Sequence, residues 1–213
     1  MSREQSKRTI LITGMGTSPA VLTETVWALA HGEKPLVPDE VVVLTTKTGK
    51  ARVRDAMLGA TGAWTALLSA LRKEKIPIEG KLVFGETSIH VIPDSSGNEL
   101  DDLRTGEDNL RTADFMLGEL RKYTESPDTV VLASIAGGRK TMSALLFSCM
   151  TLLGREDDKI YHVLIPSEYE CGMEPPFYFP QKGVTHQLLV RGDRKSTRLN
   201  SSHDDISRMP SSA

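Results

Sequence analysis

A chain of 213 residues, 39% hydrophobic and 25% charged, fits a single globular domain able to bury a core without disulfide or metal staples. Its net charge of −2, with the body up to Val190 more acidic than the remainder, excludes a broad basic face for duplex nucleic acid and leaves room only for a local anion site. Two separated cysteines, five scattered histidines, no apolar run of bilayer length and a start, MSREQSKR, without an apolar signal core point to a cytoplasmic protein with no structural metal.

In chain order, the first predicted strand is Ile10–Ile12, followed by the loop Gly14–Met15–Gly16–Thr17–Ser18 and a helix with Leu22, Val26 and Leu29 on one face. Ser18 before Pro19 reads as a helix N-cap. Its hydroxyl can equally bind a phosphate beside the glycines, and the two roles are compatible. A second strand at Val41–Leu44 leads into Thr45–Thr46–Lys47. Val53, Met57, Ala60, Trp64, Leu67 and Leu71 then mark one long helix, with Trp64 in its core stripe.

Residues 76–88 allow a short strand or hairpin. Ile89–Ile92 is a third strand in which His90 reads as a satisfied, half-buried histidine, and Asp94–Asn98 is the loop after it. Glu99, Asp101, Asp102, Arg104, Asp108, Asn109 and Arg111 read as a solvated loop and helix start, and Leu110, Ala113, Leu117 and Leu120 as the stripe of a third helix. A fourth strand, Val130–Leu132, opens into Ala136–Gly137–Gly138–Arg139–Lys140–Thr141. The next helix has Met142, Leu145, Leu146, Cys149, Leu152 and Leu153 on its stripe, which makes Cys149 a buried structural thiol. Ile160–Ile165 is a fifth strand, with Pro166–Tyr169 following it, and Val184–Val190 a last one. Residues 191–213 form a polar tail with no apolar face, expected to be disordered. They look like translated adapter or vector sequence, so the domain is bounded at 1–190.

This alternation predicts an α/β, Rossmann-like, doubly wound and mainly parallel sheet with helices on both faces, because continuously apolar strands need cover on both sides. Ligands bind such sheets outside the carboxyl ends of the strands. Gly14, Gly16, Thr17, Thr45, Thr46, Gly137, Gly138 and Thr141 therefore become candidate ligand-binding residues. Arg139 and Lys140 stand at a helix N-terminus, where each cation opposes the helix dipole by a few tenths to about 1 kcal/mol. An anion completing the site would account for that placement, and a solvated surface pair is the alternative. GGRKT is not a Walker A loop, since Arg139 intervenes between Gly138 and Lys140. The first loop is not a dinucleotide fingerprint either, since it reads G-x-G-x-x-P and no acid follows the second strand.

Three segments, LITGMGTSPAVLTETVWAL, DSSGNELDDLRTGEDNLRTAD and SIAGGRKTMSALL, together resemble the CRISPR-associated ring nucleases with a CARF-type Rossmann domain, over roughly residues 8–185. The resemblance implies a homodimer that binds cyclic oligoadenylate, most often cyclic tetra-adenylate, across a two-fold axis. It implies cleavage to linear di-adenylate by metal-independent attack of a ribose 2′-OH, without a cofactor, and thereby an end to type III CRISPR signalling. Ser18 then matches the family's phosphate-loop serine, and Arg139 and Lys140 its GGRK cations; these three are the expected catalytic residues. Asp102, Arg104 and Asn109 match the segment flanking the ligand. Two other readings stay open: a sensor module that binds the ring without cutting it, and a nucleotide-metabolising enzyme on the same fold. The second is disfavoured by the missing acid after the second strand and by the lack of a metal-ligand cluster in the sequence.

Overall fold

The computed structural model describes residues 7–165, 169, 173–181, 184–188, 198–200 and 207–210. Five parallel strands, β1 (Arg8–Met15), β2 (Glu40–Thr45), β3 (Ile89–Val91), β4 (Thr129–Ser134) and β5 (Lys159–Leu164), lie in the order β3-β2-β1-β4-β5. The helices are α1 (Ala20–Ala30), α2 (Lys47–Met57), α3 (Ala63–Lys73), α4 (Gly106–Thr124) and α5 (Lys140–Leu153). The fold is the expected Rossmann-like α/β sheet.

The strands are continuously apolar because alternate residues serve two cores. Leu11, Val41 and Val43 pack with α1, α2 and α3 on one face. Ile10, Ile12, Val42 and Leu44 pack with α4 and α5 on the other. Helix α1 is more deeply buried than a one-faced pattern implies, since every residue from Leu22 to Ala30 is buried. The segment after residue 173 covers its outer side: Thr23 Oγ1 donates to the Tyr178 carbonyl at 2.7 Å, and Trp27 stacks on Phe179 at 5.1 Å.

Three predicted elements differ. The long second helix is two helices, α2 and α3, separated at 58–62. Gly59 there has φ +93°, and a Cβ on Gly62 would stand 2.2 Å from the Met57 carbonyl oxygen. The strand expected within 76–88 reduces to a single bridge from Val83 to Glu40 and a 3-10 turn at Glu86–Ser88. The polar tail contributes two strands, β8 (Arg198–Asn200) and β9 (Ser207–Pro210), whereas β7 (Thr185–Leu188) is the last strand expected from the sequence and β6 (Met173–Glu174) precedes it. β6, β7 and β8 form a small antiparallel sheet, and β9 pairs antiparallel with β5. Strand addition at a sheet edge uses backbone N–H and C=O groups, so it does not need an apolar face. Residues 189–190 of the last predicted strand lie outside the described residues.

Polar staples hold the covering helices to the sheet. Asp158, with its side chain 1% exposed, accepts from the Val131 N–H at 2.7 Å and from the Arg155 guanidinium at 2.9 Å. Arg155 also donates to the carbonyls of Ser126 and Thr129, tying the end of α5 to the start of β4. His90 on β3 is the satisfied histidine expected: Nδ1 pairs with Glu119 of α4 at 2.8 Å, and Lys122 holds the other carboxylate oxygen at 2.6 Å.

The hydrogen bond that His90 donates to the Glu119 carboxylate raises the His90 pKa above its ordinary value. Burial pushes the Glu119 carboxyl up, but its bonds to His90 and Lys122 outweigh burial and hold it below the usual range. A raised histidine pKa stabilises the fold fully below the unfolded pKa of about 6.5, and the contribution is lost as pH rises through the folded value. We expect the Tm difference between wild type and His90→Gln, read by circular dichroism, to shrink from about 2–4 °C near pH 6 to little near pH 9. A constant difference across that range would show that His90 is not charged in the fold.

Candidate functional site

The strand order turns between β1 and β4, so the crevice at their carboxyl ends is the topological switch point. Both loops there are built on backbone contact. A Cβ on Gly137 would stand 2.6 Å from the Gly14 carbonyl oxygen, and a Cβ on Gly16 would stand 3.3 Å from Gly138 Cα. Gly138 itself has φ +86°, a conformation that side chains resist. Gly49 in the first turn of α2 closes the third side. Its missing Cβ would meet Thr45 Oγ1 at 2.0 Å and the Gly16 carbonyl oxygen at 3.0 Å. This position escaped the sequence reading, although a glycine in the first turn of TKTGK is a visible signal.

Where these elements meet is a cleft of about 270 Å³, lined by Gly16, Thr17, Ser18, Thr46, Thr48, Asp102, Leu103, Gly138, Arg139 and Met142. Seven of these were expected from the sequence; Thr48, Leu103 and Met142 were not. The structure thus brings together the loops after β1, β2 and β4. Asp102 arrives on the segment laid over the start of α2. The Lys47 and Thr48 N–H groups donate to the carbonyls of Leu100 and Asp101 at 2.8 and 3.4 Å, and Lys50 pairs with Glu99 at 2.6 Å. Two of the free N–H groups at the α2 N-terminus are thereby used.

Arg139 is the N-cap residue of α5 and makes no side-chain cap. Its fork lies on Asp102: Nε donates to Oδ1 at 2.9 Å, and Nη2 donates to Oδ2. The guanidinium has five N–H donors, so the Nη1 edge and one Nη2 hydrogen remain free for an anion. The Arg139 hydrogen bond holds the Asp102 carboxyl below the usual range, and the same pair pushes Arg139 further up. The pair is therefore intact above about pH 4 and is lost only as pH falls through the lowered Asp102 value.

Ser18 does not cap α1. Pro19 occupies that position, Ser18 stands one residue outside, and its exposed hydroxyl has no hydrogen bond among the described residues. Proline at the start of the helix shifts the first turn by one residue relative to the simple reading. Thr46 does cap α2, accepting from Gly49 N at 3.3 Å. Thr45 is buried, with its hydroxyl donated to the Met15 carbonyl at 2.6 Å, and so serves the framework. Gly14 and Gly137 lie beneath the cleft as packing contacts. Lys140 and Thr141 are exposed in the first turn of α5, Arg104 is exposed 3.8 Å from Asp102, and Asn109 is half-buried in α4; none of the four lines the cleft.

A larger hollow, about 670 Å³, opens on the other side of Thr17 and Ser18, between α1 and β5. Its walls include Tyr169, packed on Phe177 at 4.5 Å, and His162, whose buried Nδ1 has no hydrogen-bond partner among the described residues. The sequence places Tyr169 in the segment after the fifth strand and gives no weight to His162. Among the described residues, no helix is long and apolar enough to cross a membrane.

The fold and the cleft define a Rossmann-like protein with an anion-competent switch point. The chain belongs to the family of CRISPR-associated protein NE0113, whose family model matches residues 18–204. None of the curated proteins matches the chain. Among solved structures, Csm6 of Enterococcus italicus bound to cyclic hexa-2′-fluoro-hexa-dAMP is similar at 16% identity and a TM-score of 0.42, covering 75% of this chain and 35% of that one. Can2 from Sulfobacillus thermosulfidooxidans in complex with cyclic tetra-adenylate is similar at 14% identity and a TM-score of 0.38, covering 94% of this chain and 39% of that one. The chain thus spans less than two fifths of either.

The glycine junction yields a direct test. Gly137→Ala forces a methyl group against the Gly14 carbonyl, and such overpacking costs about 1–3 kcal/mol. We expect a lowered Tm and a cleft too distorted to hold an anion, read by thermal melts and ligand titration. Wild-type values for both would show that the two loops can part at no cost.

Proposed function

We propose that the protein binds cyclic oligoadenylate, with cyclic tetra-adenylate its first substrate, and cleaves the ring to linear di-adenylate, switching off type III CRISPR signalling. The observation that carries this reading is the convergence of Ser18, Arg139 and three glycine-built loops on one cleft at the switch point. Membership in a CRISPR-associated family and the motif resemblance in LITGMGTS and SIAGGRKT support it.

In the proposed reaction a ribose 2′-oxygen attacks the adjacent phosphorus and passes its proton to solvent. A phosphorane forms, and the bond to the 5′-oxygen breaks. The leaving oxygen takes up a proton, giving a 2′,3′-cyclic phosphate and a 5′-hydroxyl. Two such cuts produce two dinucleotides. Alignment and charge stabilisation are what a protein contributes to this step. The free Nη1 edge of Arg139 holds a phosphate oxygen while Asp102 fixes the guanidinium plane. The free Ser18 hydroxyl donates to the same phosphate. Lys140, on a flexible stem beside the cleft, follows the charge that grows on the phosphorane. The hollow beyond Ser18, walled by Tyr169 and His162, accommodates a base. No tuned general base stands among the described residues that line the cleft, so turnover is expected to be slow.

A second reading, ring binding without cleavage, is favoured by the Asp102 grip on Arg139 and by the position of Lys140 outside the cleft lining. One experiment separates the two: purified protein in molar excess is incubated with cyclic tetra- and hexa-adenylate in EDTA, and the products are identified by mass spectrometry. We expect linear di-adenylate, unaffected by EDTA. Lys140→Ala should slow the single-turnover rate about a hundredfold with a much smaller change in affinity, and Ser18→Ala should slow it less. Asp102→Asn should keep or tighten ring binding, by removing a negative charge, while slowing cleavage through a loosened Arg139. Tight binding with no linear product at any enzyme excess establishes the sensor reading instead, and loss of activity in EDTA overturns the mechanism.

A further inference from the structure

A further hollow, about 560 Å³, opens at the amino-terminal ends of β1 and β2, on the opposite edge of the sheet from the cleft. The length of β1, eight residues at about 3.3 Å each, separates the two. Its walls carry Lys7, Lys75 and Lys81, one carboxylate, Asp39, and apolar surface that includes Leu36, Ile76 and Pro77. The carboxylate is already occupied. Asp39 accepts from the Thr9 N–H and hydroxyl at 2.7 and 2.8 Å and from Lys81 Nζ at 2.7 Å. Lys81 also donates to the Val37 carbonyl at 3.2 Å, and Lys7 pairs with Asp157 at 2.7 Å. Lys75 is exposed, with no hydrogen bond or ion pair among the described residues. An ammonium has three N–H donors, so each of the three lysines keeps at least one for a ligand.

The backbone beside this hollow is held where side chains resist it. Among the described residues, the non-glycine positions with positive φ are Lys75 (+62°) and Leu82 (+56°), and they bracket the wall segment 76–81. Lys75 ends α3 in a Schellman turn: its N–H donates to the Arg72 carbonyl at 2.9 Å, and that of Ile76 to the Leu71 carbonyl at 3.0 Å. Glycine takes this position without a Cβ penalty, so the turn itself gives no reason for a lysine. Leu82, 2% exposed, donates its N–H to the Pro38 carbonyl at 2.9 Å, which fixes the chain where Lys81 reaches Asp39. Strained backbone persists where the surrounding structure holds it, and it clusters at ligand sites.

We propose that this hollow binds a mononucleotide, a phosphate monoester with a flat apolar body, through Lys7, Lys75 and Lys81. Point-like ammonium groups placed around one hollow suit a tetrahedral dianion, and Asp39 positions Lys81 without neutralising the other two. Leu36, Ile76 and Pro77 offer the base an apolar surface. The volume falls within the range of about 300–1,000 Å³ typical of small-molecule sites. This site stands apart from the cleft and does not depend on what the cleft binds.

The test is calorimetric titration of the full chain with the four ribonucleoside 5′-monophosphates, with adenosine and inorganic phosphate as controls. At least one mononucleotide should bind saturably with a Kd below about 1 mM, and each control at least about tenfold more weakly. In methyl-labelled protein the Ile76 resonance should move on binding, and that of Met142, in the cleft, should stay. Lys75→Gly removes the strain and the charge together. Its Tm should be no lower than that of wild type, while mononucleotide affinity falls at least about tenfold. Lys75→Arg keeps a cation and should bind more tightly than Lys75→Gly. Absence of saturable binding by all four mononucleotides, or equal binding of inorganic phosphate, would overturn the proposal. So would movement of the Met142 resonance alone, full affinity in Lys75→Gly, or a destabilised Lys75→Gly, which would tie the lysine to the fold.

Discussion

The architecture depends on a contact that admits no side chain. At the carboxyl ends of β1 and β4 two loops meet backbone to backbone through Gly14, Gly16, Gly137 and Gly138, while α2 presses its own glycine, Gly49, against the first of them. A methyl group at Gly137 or Gly49 would be driven into a peptide oxygen or a buried hydroxyl. The consequence is geometric. Ser18 and Arg139, 121 positions apart in the chain by their numbering, line the same cleft because the loops beneath them cannot be held further apart.

Within that frame, electrostatics is arranged around one pair. Asp102 does not neutralise Arg139 so much as aim it, taking the Nε side of the fork and leaving the other edge free. The segment carrying Asp102 is secured in turn by the N–H groups at the start of α2 and by the Lys50–Glu99 and Lys47–Asp101 ion pairs. These exposed ion pairs contribute little stability. Their role is to set position, since a guanidinium already fixed in plane loses less freedom when an anion arrives. Lys140 has no such partner among the described residues and keeps the mobility of its stem.

The five parallel strands and the loops after them were legible in the sequence because continuous apolar runs between helical stripes have one economical solution, a sheet covered on both faces. Other features were hidden for identifiable reasons. The break between α2 and α3 falls inside an unbroken helical period, Met57–Ala60–Trp64, so only Gly59 and Gly62 mark it. The Asp102–Arg139 pair joins residues 37 apart whose meeting depends on how the loop crosses α2. Strand β9 pairs through its backbone and leaves no pattern in its side chains. Apolar stripes also misled in detail. Leu110 and Leu152, counted with the buried faces of their helices, are 71% and 75% exposed, because hydrophobic spacing cannot distinguish a face turned to the core from one turned elsewhere.

The chain has two tryptophans, and both sit in the same layer of the sandwich. Trp27 stacks between His31, at 4.0 Å, and Phe179, and Trp64 packs on Phe84 at 4.8 Å. The layer formed by α4 and α5 contains no tryptophan at all among its core residues. Intrinsic fluorescence therefore watches one side of this molecule and is blind to the side that carries Arg139. A melt followed by tryptophan emission reports on the α1–α3 layer alone, and far-ultraviolet dichroism must accompany it before the two halves can be said to come apart together.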